Sequence, residues 1–488
     1  MQRQEKSVYP HRELDKKRWL VRYLCLAALG VILSIKVYLL LFIFDFTVGV
    51  YSFITTFVLF STLLLSYVKF RDPYFIALEN AGDKNNNSSP LVSVILPVKN
   101  EEGHIADCVK SCINSTYPNK EIIVVNDGST DGTARVLDDV YRASANPSLH
   151  IIHLSKNVGK KKAIEAGASI ANGEIYVFID SDCEMAADAI EKFVRIFNSD
   201  HTVGAVTAHG RVRNVSEGNV LEKIEDVWYD GQFRIIKGME SSFSSVTCCS
   251  GALSAYRKIA IQSHISAWAH EKFLGREFKF ATDRRLTAYV LAGGPPPQMR
   301  QEPKEAVEQD PTILQTGNDE LEAMKMSSDP DEEDNNTSKE SSANWKVQYS
   351  PSIFVSIGPP STFTAFIRQQ IRWRKSFIRS VFATGKVYWR RPIPAAMLYY
   401  LQMGLKFFRP FIVLKTLVLL PLAGDYITGL LFVSAVLFTG MIYGIDFRLR
   451  NPGSSLWVYR PLMTLLSTFV LTWLLIYSAI TIRKMSWR

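Results

Sequence analysis

Cysteine is scarce in this 488-residue chain: Cys25, Cys108, Cys112, Cys183, Cys248 and Cys249, with no CxxC…CxxC arrangement. That excludes a disulfide-stapled scaffold or a zinc ribbon, and reduced, mostly buried thiols facing a cytosol are expected. Also missing are a recognition helix, a zinc module and an RNA-stacking signature, so nucleic acid is not an expected partner. Polar low complexity is absent from most of the length. With 47% hydrophobic and 12% aromatic residues, the chain is neither a disordered tail nor a collagen-like repeat.

Acidic charge is unevenly spread. Between Glu302 and Glu340 stand 13 acidic residues and three lysines, a local net of −10, which leaves +19 on the remainder of a chain whose total is +9. A remainder this basic suits lipid headgroups, nucleotide phosphates or an acidic polymer.

Long uncharged runs lie near both ends. Cys25–Phe44 has one charge, Lys36, and Val48–Tyr67 has none, so each is long enough to cross a bilayer core of about 20 apolar residues. Basic residues before the first run and after the second (Arg18, Arg22, Lys69, Arg71) place both ends of this hairpin in the cytoplasm. Lys36 is expected either to snorkel or face the helix bundle, or to line a polar conduit. At the other end, Phe408–Leu422, Ile427–Ile445 and Pro461–Ile482 are membrane candidates, with Ala395–Lys406 an interfacial helix before them. Five crossings would put Arg483, Lys484 and Arg488 outside. The positive-inside rule instead favours four crossings, both termini cytoplasmic, and Pro461–Ile482 entering and returning or lying in the interface.

The middle is a soluble α/β pattern. Leu91–Val98, Glu121–Asn126, His150–Leu154 and Glu174–Ile179 are short β-branched runs with helical stretches between them, predicting a parallel, Rossmann-like sheet. Three regions follow: residues 1–89 with the hairpin, 90–391 as the α/β domain, and 392–488 with the remaining membrane helices. Residues 295–344, rich in Pro, Glu, Asp, Ser and Asn, are expected to be a disordered insertion in the α/β domain.

Parallel sheets bind ligands beyond the carboxyl ends of their strands, so the informative residues lie there. The second strand runs into Asn126-Asp127-Gly128-Ser129, where Asp127 reads either as a ligand for a base or ribose or as part of a turn and helix cap. The fourth ends in Asp180-Ser181-Asp182. On an extended chain these two carboxylates face the same way, and a divalent Mg²⁺ or Mn²⁺ bridging a diphosphate would offset their repulsion. Lys160 and Lys162 open a helix and suit phosphate, or are simply solvated. Asp283 precedes Arg284 and Arg285, as a general base kept ionised or as a structural ion pair. Gln369, Arg372 and Trp373 share one face of a basic helix, offering a fork for diphosphate and a stacking platform.

NDGS, DSD, SG, the Asp283 region and QxxRW, in this order, resemble membrane-embedded family-2 glycosyltransferases of GT-A fold. Hyaluronan, chitin, rhizobial chitooligosaccharide and cellulose synthases make up that group. The segment Val246–Arg257, Arg284–Leu291 and Gln369–Phe377 are most similar to hyaluronan synthases. The resemblance implies a cytosolic GT-A domain between transmembrane helices, in a multi-pass plasma-membrane protein in contact with lipid. It implies Asp127 on uridine, Asp180 and Asp182 on the diphosphate and its metal, and Asp283 as the base. Gln369, Arg372 and Trp373 would hold the donor diphosphate and acceptor end, and Cys248, Cys249, Ser250 and Gly251 would line the acceptor site. The implied activity is processive, inverting polymerisation of UDP-GlcNAc and UDP-GlcUA onto a growing polysaccharide that leaves between the helices. A single-sugar polymer, or a non-processive lipid-linked transferase, are the alternatives. Two departures stand out: Thr282 occupies the place of a frequent second acidic residue, and where a late W-G-T motif is expected the chain reads Met485-Ser486-Trp487-Arg488.

Overall fold

The computed structural model describes residues 11–42, 45–81, 88–144, 146–277, 282–293, 344–360 and 362–483. The expected insertion, apart from Asn344, lies outside the described residues, as does Met485–Arg488.

Ten strands are present: β1 Val92–Val98, β2 Lys120–Asn126, β3 Leu149–His153, β4 Ile175–Ile179, β5 Cys183–Met185, β6 Val203–Val212, β7 Leu253–Arg257, β8 Lys272–Phe273, β9 Arg276–Glu277 and β10 Lys346–Ile357. All but β8 and β9 join one sheet in the order β3-β2-β1-β4-β7-β6-β10-β5. The four strands anticipated from sequence are mutually parallel. The sheet then becomes mixed, because β7 runs antiparallel to both β4 and β6. Every residue of β1 is buried, Ser93 included, which is why apolar residues fall on both of its faces and do not alternate with polar ones. Each such side chain contributes roughly 1.5–3 kcal/mol, enough for burial to outweigh intrinsic strand propensity.

Helices Ile105–Ile113, Thr133–Ser144 and Lys160–Ile170 return the chain between the parallel strands. The carboxyl ends of β1, β2 and β4 therefore lie side by side, and Lys99, Asp127 and Asp180 follow them directly.

On the membrane side, helices His11–Phe42 and Phe46–Val68 form the expected hairpin, with Asp45 capping the second through Thr47 and Val48 N–H groups. Phe46–Asn80 and Tyr426–Arg450 are long and apolar enough to cross a membrane, while the first hairpin helix carries a shorter apolar stretch, Leu26–Leu39. The expected separation of an interfacial helix from the span after it is not found. Ile393–Leu414 is one helix with Pro410 inside it, continued by a π-turn at Lys415–Leu419. Lys406 and Arg409, where the two segments meet, line an internal cavity. Beyond Arg450, Leu456–Val470 and Trp473–Ile480 form a pair bent by 45°.

The α/β domain and the flanking segments share buried polar contacts. Asp72, from the N-terminal segment, accepts hydrogen bonds from Ser350 Oγ at 2.7 Å and from Ser352 Oγ, both on β10. Burial raises its pKa against those hydrogen bonds. Arg211 on β6 donates to Asp226 at 2.8 Å and to Asn451 at 3.2 Å, joining the sheet to the end of the helix Tyr426–Arg450. Burial alone would raise the pKa of neighbouring Asp230, but Arg234 and Arg211 hold it down at about 2.

Candidate active site

A cavity of about 810 Å³ runs from the carboxyl ends of the parallel strands into the membrane helices. At its sheet end stand Lys99, Asp127, Lys160, Asp180, Asp182 and Gly251.

Gly128 sets the position of Asp127. Its φ is +58°, and a Cβ there would lie 2.6 Å from the backbone of Lys156 and Asn157. The following loop can therefore lie close enough for Val158 N–H (2.7 Å) and Gly159 N–H (2.9 Å) to donate to the two carboxylate oxygens of Asp127. Asp127 is thus fixed by backbone amides at the cavity wall.

The Asp180-Ser181-Asp182 segment departs from the extended geometry expected of it. Cys183 N–H donates to Asp180 O at 3.1 Å, so the four residues form a turn between β4 and β5. Serine and aspartate both favour turns, which overrode continuation of the strand. Both carboxylates nevertheless line the cavity. Asp180 is paired with Lys160, and the backbone carbonyl of Asp182 is held by Arg213 at 2.8 Å. Burial, then the charge of Asp180, raises the pKa of Asp182. For Lys160 burial works in the opposite direction, but Asp180, Asp283 and Asp182 outweigh it and its pKa is raised. Lys162 is directed elsewhere: it pairs with Glu277 on β9 at 2.9 Å.

Asp283 lies in the first turn of the helix Thr282–Ala292, which Trp268 Nε1 anchors by donating to Thr282 O at 3.0 Å. Its Oδ2 accepts from Cys248 Sγ at 3.3 Å. Cys248, Ser250 and Gly251 line the cavity beside it. Cys249 faces the core, its N–H donating to Thr287 Oγ1 at 2.9 Å. Gly251 is needed for space: a Cβ would come within 3.1 Å of Asp180 Oδ2.

Gln369, Arg372 and Trp373, on the helix Phe363–Tyr388, close the opposite wall. Trp373 stacks on Trp228 with centroids 5.1 Å apart and meets Tyr229 edge-on at 5.9 Å. It is both a packed aromatic edge and part of the cavity wall.

Three features escaped the sequence. Arg284, Lys237 and Arg374 also line the cavity. Glu225 is buried, neither oxygen has a hydrogen-bond partner among the described residues, and burial pushes its pKa up to about 8. Inside the membrane helices, Lys36, Lys406, Arg409 and Arg460 line the cavity, and no acidic residue from those helices does so among the described residues. For Lys36 the sequence had offered a polar conduit as one alternative; Lys406, Arg409 and Arg460 carried no such signal, and of the other cations only Arg374 lies in the run without acids between Arg368 and Arg391.

Residues 93–264 match the protein family described as glycosyl transferase family 2. The chain carries a family-2 glycosyltransferase domain. Its mixed sheet with ligand-facing strand ends is GT-A-like. This glycosyltransferase is 26% identical to the hyaluronan synthase of Streptococcus pyogenes over 470 residues, 93% of this chain and 94% of that protein. It is 27% identical to an N-acetylglucosaminyltransferase of Rhizobium meliloti over 296 residues, covering 60% of this chain and 57% of that one. A solved structure of mannosyltransferase PcManGT from Pyrobaculum calidifontis, in complex with GDP-Man and Mn²⁺, aligns over 89% of this chain and 99% of its own. The identity is 16% and the TM-score 0.49.

Proposed function

We propose that this glycosyltransferase is a processive, inverting enzyme that polymerises UDP-GlcNAc and UDP-GlcUA into hyaluronan and moves the polymer across the membrane. The observation that carries this reading is the cavity itself. It joins the Asp180–Asp182 end to hydroxyl-bearing positions in the membrane helices, among them Thr56, Thr439 and Thr468. A product released to the cytosol would need no such continuation. Lys36, Lys406, Arg409 and Arg460 in the membrane portion favour a polyanion, because a wall with excess positive charge attracts one. The similarity to a hyaluronan synthase over nearly the whole chain agrees with this. A neutral GlcNAc polymer is the second reading, favoured by the similarity to an N-acetylglucosaminyltransferase.

The chemistry follows from the wall. The donor's uridine is placed at Asp127, with its diphosphate between Asp180, Lys160 and Arg372. The acceptor hydroxyl attacks the anomeric carbon as Asp283 takes its proton, and UDP leaves from the opposite face of that carbon. Lys160 and Arg372 offset charge on the departing diphosphate. Asp180 and Asp182 fit a divalent ion: they are oxygen donors turned into one cavity, and burial together with mutual charge raises the pKa of Asp182. Mg²⁺ or Mn²⁺ bound there would supply further positive charge to the diphosphate.

The test uses the full chain in nanodiscs with Mg²⁺ or Mn²⁺ and the UDP-sugars singly and paired. Sustained UDP release is expected only with UDP-GlcNAc plus UDP-GlcUA, giving a product cleaved by hyaluronidase. A hyaluronidase-resistant polymer from UDP-GlcNAc alone would establish the second reading.

The membrane arrangement belongs to the same proposal: four crossings in the plasma membrane, both termini and the catalytic domain cytosolic. The bent C-terminal pair supports it by touching the catalytic domain twice. Arg374 Nε donates to Leu471 O at 3.0 Å, and Ser478 Oγ to Ile371 O at 3.5 Å, both from or to the helix Phe363–Tyr388. A segment tied at two points to a helix of the catalytic domain enters and returns more readily than it crosses. A C-terminal tag is therefore expected to resist external protease in intact cells. Its cleavage without permeabilisation would restore a fifth crossing.

A further inference from the structure

Asp283 is steered by more than its own helix. Thr287, one turn on, donates to Asp283 O at 2.8 Å and accepts from Cys249 N–H at 2.9 Å, so the helix start is tied to the segment Cys248–Gly251. Ser250 N–H is held by Thr207 Oγ1 on β6 at 2.9 Å, and Lys237 holds the carbonyl of Cys248. On this braced segment the Cys248 thiol reaches Asp283 Oδ2 at 3.3 Å. Among the described residues no donor reaches Oδ1, and Asp283 lines the cavity. Burial, then the charge of Asp283, pushes the Cys248 thiol up to about 12, so it stays protonated and donates.

We propose that Cys248 is a positioning residue: its thiol holds the Oδ2 edge of Asp283 so that Oδ1 meets the acceptor hydroxyl. This rests on the assignment of Asp283 as the base. A thiol suits the task better than a hydroxyl. An S–H group is a weak donor, so it fixes orientation while withdrawing little basicity. A strong donor to the charged form would make the carboxylate a poorer base. The other charged or titratable groups facing Asp283 are Lys160, Arg284, Cys249 and Tyr256. The substitutions below alter none of them.

The experiment compares Cys248→Ala, Cys248→Ser and Asp283→Asn in the full chain, reading UDP release against donor concentration and pH, with UDP binding measured separately. Cys248→Ala is expected to lower kcat about tenfold with donor KM within about twofold, since misorientation of a reacting group affects turnover more than binding. Cys248→Ser should restore most of kcat, and move the acid limb of the rate profile down by about half a pH unit, because its hydroxyl stabilises the carboxylate. An alanine variant with unchanged kcat and acid limb overturns the proposal. So does loss of UDP binding in both Cys248 variants, which marks a role in packing only. Near-normal synthesis by Asp283→Asn removes the base assignment itself, whatever the Cys248 variants do.

Discussion

Asp283→Asn is expected to bind UDP normally and to lose polymer synthesis by at least about a hundredfold, the lower range for a positioned general base. The amide keeps the shape of the side chain, and its single oxygen, in the place of Oδ2, can still accept from the Cys248 thiol. The helix Thr282–Ala292 should therefore keep its place, held by Trp268 and Thr287. What is lost is a basic oxygen towards the cavity. Single-turnover UDP release with a bound acceptor, beside calorimetric UDP titration, separates these effects. Synthesis within a few-fold of the parent enzyme would remove Asp283 from the reaction.

The second large effect concerns the Asp180–Asp182 turn. Dialysis against EDTA is expected to stop turnover, and added Mg²⁺ or Mn²⁺ to restore it. Asp182→Asn should weaken donor binding and rate together, because oxygen donors to a divalent ion would be lost on the diphosphate side. Removing one carboxylate also relieves repulsion with Asp180, so the variant should fold at least as well as the parent. The thermal midpoint measured with and without UDP reports both. Full activity in excess EDTA would mean that Lys160 and Arg372 suffice for the diphosphate.

Much of the α/β layer was legible because its strands are buried on both faces. Lys120–Asn126 and Ile175–Ile179 are rich in buried apolar residues, and their carboxyl ends marked Asp127 and Asp180. The antiparallel insertion of β7 was not legible. Leu253–Arg257 joins the middle of the sheet through contacts with Ile175–Ile179 and Ala205–Thr207, far away in sequence. The turn at Asp180–Cys183 was missed for a local reason: an i, i+2 pattern assumes extended backbone, and Ser-Asp sequences leave it readily. On the membrane side, Ala395–Lys406 and Phe408–Leu422 were read apart although one helix joins them, since sequence hydropathy cannot distinguish bulk water from the polar cavity that Lys406 and Arg409 line. Cys248 was placed beside the acceptor by resemblance. Its contact with Asp283, 35 residues on, exists only in three dimensions.

The carboxylate of Asp72 carries a practical lesson for anyone wishing to study the catalytic part alone. It precedes the α/β domain in sequence, yet it is the acceptor beneath β10 for Ser350 and Ser352, all three being buried. Cutting at residue 90 would strand two hydroxyls in the interior, each costing about 1–3 kcal/mol when left unsatisfied. Ending at 391 would in turn deprive Arg211 of Asn451. Small domains have only 5–15 kcal/mol to lose, so these two cuts together remove a large share of it. The stretch 90–391 is thus expected to be less stable alone than within the full chain, which a thermal midpoint on each would check. A fragment meant to keep these contacts has to carry Asp72 and Asn451 with it.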